Sequence, residues 1–178
     1  MILPAKESLN KDLGALNFEI VRRVAEKASL KEICLIDAEV KSDLVRRNYR
    51  QANLEINFHT DTKPLSEEEF ITLCHFELAA SDQEQSNDFF LEIKATYSVA
   101  YKIDSPDPLP FEDLDMFGRI NPLYNVWPYW REFVQNMTVR LGLPALTLPL
   151  FKIPAPSVPK KAQASKRRKK NSEKPQAS

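Results

Sequence analysis

The 178 residues carry 25 Lys+Arg against 25 Asp+Glu, a formal net charge of zero, and that length suits one domain plus a tail rather than two independent cores. No apolar run reaches the ~18 residues of a membrane-spanning helix, and the start, MILPAKESLN, lacks the basic flank and apolar core of a secretory signal. Two cysteines are too few for a disulfide scaffold and point to a reduced, cytoplasmic setting, while three glycines (Gly14, Gly118, Gly142) leave no Gly-rich phosphate loop and no dinucleotide fingerprint.

The first element is a short helix over 15–28. Phe18, Val21, Val24, Ala25 and Ala28 recur at three and four, and Asp12 is positioned as a cap. Four strand patterns follow. Residues 31–42 alternate with Cys34, Ile36, Ala38 and Val40 on one face, and Ile33 and Leu35 make the other face apolar as well. Residues 52–61 place Leu54, Ile56 and Phe58 opposite Glu55, Asn57 and His59. Residues 68–81 set Phe70, Thr72, Cys74, Phe76 and Leu78 against Ile71, Leu73, His75 and Glu77. Residues 88–103 give the longest alternation, from Phe89 to Ile103, which predicts a long, half-buried strand. The polar stretch 81–88 suits a hairpin between the last two strands. Clean alternation of this kind favours an antiparallel sheet with one covered face.

Three prolines in DSPDPLP (104–110) end the strand region. A short helix is expected at 111–118 and a further turn at 121–126, with Asn121 as cap and Pro122 in first position. Pro128 is expected to open the longer helix, whose Trp130, Phe133, Val134, Met137 and Leu141 form one apolar stripe. Gly142 and Pro144 stop it. The stretch LGLPALTLPLFKIP is apolar and proline-punctuated, so it should lie extended across an apolar surface. Residues 152–178 hold nine bases against Glu173, which leaves 1–151 with 16 bases and 24 acids. Residues 1–152 therefore read as the folded domain, and 153–178 as a disordered basic tail with little to bury. The fold class predicted is α+β: a four-stranded antiparallel sheet with a short N-terminal helix and two C-terminal helices packed on one face.

Nothing in the pattern is catalytic. His59, His75, Cys34 and Cys74 lack ligand spacing, adjacent Cys74 and His75 point to opposite faces of a strand, and both cysteines fall on faces predicted to be buried. No metal, cofactor or enzyme activity is expected. The KRRKK run (166–170) has no interleaved aromatic residue, which disfavours base stacking and leaves only sequence-independent binding of nucleic acid as a minor reading. A solubilising role, or shielding of the acidic body, is the simpler one. The informative feature is surplus apolar surface, which predicts self-association together with a binding groove, the plainer alternative being that the N-terminal helix and the extended C-terminal segment absorb it all.

The stretch NVWPYWREFVQNMTVRLGLPALTLPLF (125–151) resembles the C-terminal signature of SecB-type protein-export chaperones. The family's aromatic-Pro-Tyr-x-Arg-Glu helix opening is matched by Trp127, Pro128, Tyr129, Arg131 and Glu132. Its helix end is matched by Arg140, Gly142, Leu143 and Pro144, and the segment after it is similar at Leu146, Leu148, Pro149 and Phe151, with one residue fewer before the aromatic. The first strand lacks the family's aspartate-then-Ser-Phe-Glu pattern, which supplies contacts to the translocase motor. That departure, the N-terminal helix and the basic tail place the chain with divergent SecB-like members, some of them paired with toxin–antitoxin operons. The resemblance implies an ATP-independent holdase that binds unfolded polypeptides or preproteins in apolar grooves. It further implies a homotetramer built as a dimer of dimers, with the translocase motor or an antitoxin as further partners. Trp127, Pro128, Tyr129, Arg131, Glu132, Gly142 and Pro144 would form the scaffold, with Pro128 fixing the helix start and Arg131 and Glu132 in caps or inter-subunit salt bridges. Phe70, Leu73, Trp130, Leu146, Leu148 and Phe151 would touch the client. The alternative implied is a dedicated partner that stabilises one client, such as an antitoxin.

Overall fold

The computed structural model describes residues 6–7, 16–43, 52–82 and 89–152. The chain runs β1 (Lys6–Glu7), α1 (Phe18–Ala25), β2 (Ala28–Ser42), β3 (Ala52–Pro64), β4 (Glu69–Asp82), β5 (Phe89–Ile103), α2 (Phe111–Gly118) and α3 (Asn121–Arg140). The sheet order is β1-β3-β4-β5-β2, antiparallel except where β1 adds two parallel pairs to β3. Two residues cannot carry a hydrophobic period, which is why β1 is invisible in the sequence. The α+β architecture, with its four long antiparallel strands, is the one expected. Of the loop between β4 and β5, 83–88 lie outside the described residues, as do Asp12 and the basic segment 153–178.

The long alternation of β5 does what its period requires. Leu91, Ile93, Ala95, Tyr97, Val99, Tyr101 and Ile103 are all buried, while Glu92, Lys94, Thr96 and Ser98 turn to the open face. β4 matches it with Phe70, Thr72, Cys74, Phe76 and Leu78. α3 lies over β4 and β5, α2 over β3, and α1 against α2. Phe76 stacks on Trp130 at 5.3 Å, and Phe70 on Tyr101 at 5.0 Å. Such pairs add to area burial in fixing how a helix sits on a sheet. Among the described residues no helix is long and apolar enough to cross a membrane.

Two expectations are corrected. The phase of β2 is not a single alternation. Register shifts between Leu30 and Glu32 and between Leu35 and Asp37 each insert one residue, so Leu30, Ile33, Leu35, Ala38 and Val40 pair with the buried row of β5. Each bulge flips the phase, and two of them gather onto one face the apolar residues that seemed split between two. Cys34 consequently pairs with Ser98 on the open face and is not buried. The second correction concerns Pro128. It does not open the helix; α3 runs unbroken from Asn121, which is its first residue rather than its cap. Pro128 and Tyr124 are both exposed, and Pro128, having no N–H, leaves the Tyr124 carbonyl without its helical donor.

The cap of α1 also differs from the expected one: it is Asn17, not Asp12, its Oδ1 accepting from the N–H groups of Glu19 (3.1 Å) and Ile20 (3.4 Å). Gly142 stops α3 at φ 73°. Its N–H donates to the Val139 carbonyl (2.9 Å), and the Leu143 N–H to that of Thr138 (2.9 Å), the paired bonds of a Schellman end.

Gly118 makes the tightest approach of helix to sheet. A Cβ there would sit 1.9 Å from Thr62 Oγ1 and 3.0 Å from Thr72 Oγ1, and those two hydroxyls share a buried hydrogen bond of 3.1 Å. Gly118→Ala must turn Thr62 away and break that bond, or lift α2. We expect a loss of about 2 kcal/mol in urea unfolding; an unchanged midpoint would show that the helix end yields freely.

Candidate functional site

The segment after α3, residues 144–152, folds back along the helix as an extended strap. Three side chains on one stripe of α3 hold its backbone, because Trp127, Arg131 and Thr138 are spaced by four and seven and so share a face. Trp127 Nε1–H donates to the Pro149 carbonyl at 2.9 Å, Arg131 Nε–H to the Leu148 carbonyl at 2.8 Å, and the Leu146 N–H donates to Thr138 Oγ1 at 3.1 Å. A proline-punctuated chain cannot satisfy itself as helix or sheet, so these side chains take over its backbone hydrogen bonding.

Where the strap ends, aromatic rings gather. Phe151 meets Tyr124 at 5.0 Å, Trp127 at 5.1 Å and Phe58 of β3 at 5.6 Å, edge-on or tilted. Trp127 is nearly covered, but Tyr124 is 41% and Leu150 65% exposed. The result is a shallow surface of aromatic and aliphatic groups beside β3, on a strap whose backbone is held at Leu146, Leu148 and Pro149. Such a surface takes apolar side chains without demanding a sequence.

The six residues expected to touch a client divide. Phe70, Trp130 and Leu148 are core side chains, 2% exposed or less. Trp130 Nε1–H has no hydrogen-bond partner among the described residues, so packing alone holds that ring. Leu73 sits on the opposite, open face of the sheet. Only Leu146 and Phe151, both half-buried, lie on the strap surface. Phe58, Tyr124 and Leu150 join them there and were not anticipated. Had the helix been continued through Pro128, Tyr124, Trp127 and Arg131 would have fallen on one stripe, which is the signal that could have found Tyr124. Arg131 acts as a clamp of the strap rather than a cap, and exposed Glu132 accepts from Asn136 Nδ2. Tyr129 is 53% exposed on the outer side of α3.

A second apolar exposure runs along β2. It is an edge strand of fifteen residues. Leu30 and Leu35 stay 47% and 46% exposed although their cross-strand partners Tyr101 and Tyr97 are buried, and Ile36 at the second bulge is 55% exposed. α3 does not reach this edge.

Chemistry of other kinds finds little footing. Burial pushes the Cys74 thiol up to about 12, so no thiolate forms there at neutral pH. No group of three or more metal-ligating side chains occurs among the described residues. His59 and His75, paired across β3 and β4, do stack, with ring centroids 4.3 Å apart. Thr96 Oγ1 lies 3.0 Å from His75 Nδ1. Desolvation, then the neighbouring His59, holds the His75 imidazole below the ordinary histidine value, against an opposing pull from Asp61. The folded protein therefore prefers neutral His75. As pH falls through the ordinary value the unfolded chain takes up a proton that the folded one refuses, so stability declines until the lower, folded value is passed. Urea midpoints should drop between about pH 7 and pH 5, and His75→Asn should flatten that slope; an equal slope in the variant would assign the effect elsewhere.

The fold can be set beside known proteins. No protein-family model matches the sequence, and comparison with curated proteins finds no match. Among solved structures, the Rv1957 SecB-like chaperone of Mycobacterium tuberculosis, in complex with a ChAD peptide from the Rv1956 HigA1 antitoxin, aligns with a TM-score of 0.68. The alignment covers 77% of this chain and 99% of that chain, at 19% identity. The fold is SecB-like. The agreement extends over nearly the whole mycobacterial chain, so it takes in the sheet and the α3 layer rather than one supersecondary unit. A protein of unknown function from Streptococcus agalactiae aligns at a TM-score of 0.36 and 10% identity over 70% of this chain and 98% of that chain, too low a score to bear on the question. At 19% identity the SecB-like fold is what is shared, and activity has to be argued from the surface.

Proposed function

We propose that this chain is an ATP-independent, non-enzymatic holdase that binds unfolded polypeptides, preproteins among them, on the strap surface of a SecB-like fold. The observation that carries the reading is the clamped strap. It brings exposed Leu150 and half-buried Phe151 beside exposed Tyr124 of α3, with its backbone clamped by Trp127 and Arg131. A non-native chain exposes the apolar side chains that such a surface accepts. Self-association through the exposed β2 edge would complete the site, and a homotetramer built as a dimer of dimers, working in the cytoplasm in support of protein transport, is the assembly we favour. Docking to the translocase motor is a further partner on this reading.

A second reading has a specific support. The similar mycobacterial chaperone was solved with an antitoxin peptide bound, so this chain is alternatively a dedicated stabiliser of one client such as an antitoxin. Light scattering separates the two. Substoichiometric suppression of aggregation for several unrelated unfolded proteins supports the general holdase. Protection of one antitoxin-like client alone supports the dedicated role, and suppression of none removes both.

A further inference from the structure

The sheet face turned away from the helices combines an apolar strip with uncompensated negative charge. Ile71, Leu73 and Ala100 lie together on β4 and β5, half-buried by their neighbours. Around them four ion pairs cancel: Lys63–Asp61 at 2.9 Å, Lys94–Glu77 at 3.0 Å, Lys41–Glu39 at 2.8 Å and Lys31–Glu69 at 2.6 Å. Glu32, Asp37, Glu55 and Glu92 share this face and have no ion pair among the described residues, against one base in the same position, Lys102, so the face keeps a negative excess.

The chemical complement is in the same chain. Residues 153–178 hold six lysines and two arginines against one glutamate, with apolar Ile153 and Val158 ahead of the KRRKK run. The segment departs next to the edge of β3: Phe151 packs on Phe58, whose neighbours Asn57 and His59 belong to the open face. Beyond β3 the sheet has, among the described residues, only the two-residue β1. The four long strands span roughly 15 Å, whereas 26 extended residues reach about 85 Å. The segment has the length to round β3 and cross the face, and tethering holds its charges there at roughly millimolar effective concentration.

We propose that residues 153–178 dock on the open face of the sheet, Ile153 and Val158 along the Ile71–Leu73 strip and the KRRKK run over Glu32 and Asp37. Docked there, the segment is a built-in competitor, and a basic partner or client must displace it to reach the carboxylates. The attraction between surface charges is screened over ~3 Å at 1 M salt against ~10 Å at 0.1 M, so the segment is released as salt rises.

The full-length protein tests this. A spin label at Ala177→Cys, in a Cys34→Ser background, should broaden amides of Asn57, His75 and Thr96 at low salt and spare those of the α3 outer face. In Glu32→Gln/Asp37→Asn/Glu92→Gln the broadening should weaken, by roughly twofold in bound fraction per charge, with sheet chemical shifts otherwise retained. Broadening of Tyr124, Tyr129 and Gln135 instead would place the segment on the helix side and overturn the proposal. So would sharp amides everywhere at low salt, including the case in which the segment binds only an added polyanion such as RNA.

Discussion

Replacing Tyr124 and Leu150 by serine is expected to lower affinity for an unfolded polypeptide by roughly thirtyfold while costing the free protein only about 1 kcal/mol of stability. Both side chains are exposed before any client arrives, at 41% and 65%, so folding draws on little beyond the edge contact of Tyr124 with Phe151. A client that covers them gains about 1 kcal/mol from each, and ~2 kcal/mol together is the thirtyfold. Phe151→Ser should deepen the loss but also loosen the ring cluster with Phe58 and Trp127, so the exposed pair is the cleaner variant. Fluorescence anisotropy of a labelled unfolded client, beside urea unfolding of the variant, checks both halves. Equal loss of stability would mean the two side chains serve the fold.

If the proposed self-association runs through the β2 edge, Leu35→Asp with Ile36→Asp should leave only monomers at micromolar concentration. β2 offers a fifteen-residue edge whose outer backbone groups meet no other strand among the described residues, and an exposed apolar edge strand is a template for pairing with another chain. Two carboxylates placed where leucine and isoleucine meet a partner must be desolvated or left unpaired. Either cost is several kcal/mol across the interface, enough to raise the dissociation constant at least a hundredfold. Light scattering with size exclusion reads the mass directly. Retention of the wild-type mass would move the interface away from β2.

The fold was largely legible because β4 keeps one period from Phe70 to Leu78 and β5 from Leu91 to Ile103, the phase breaking only at Phe90, where a register shift leaves Phe89 exposed, and covering one face of a sheet leaves few architectures. β2 was legible as a strand but not in phase, since a bulge adds a residue with no mark in composition. The strap was legible as an extended apolar segment from its prolines. Its clamps were not, because side-chain to backbone bonds such as Arg131 to Leu148 and Trp127 to Pro149 span 17 and 22 residues and leave no local pattern. The candidate contacts suffered most. Alternation says that Phe70 and Leu73 face opposite ways, but not which side a helix will cover or how far. Trp130 and Tyr124 both read as large apolar groups on a helix, and only packing decides that one is sealed and the other offered.

The central claim is that non-native chains bind the strap surface beside β3. Amide chemical-shift mapping of the full-length protein against an unfolded model polypeptide tests it most directly. The account predicts perturbations centred on Tyr124, Leu150, Phe151 and Phe58, lost in the serine variants. Binding mapped to the His59–His75 face of the sheet, or no binding at all by a properly folded protein, would contradict it.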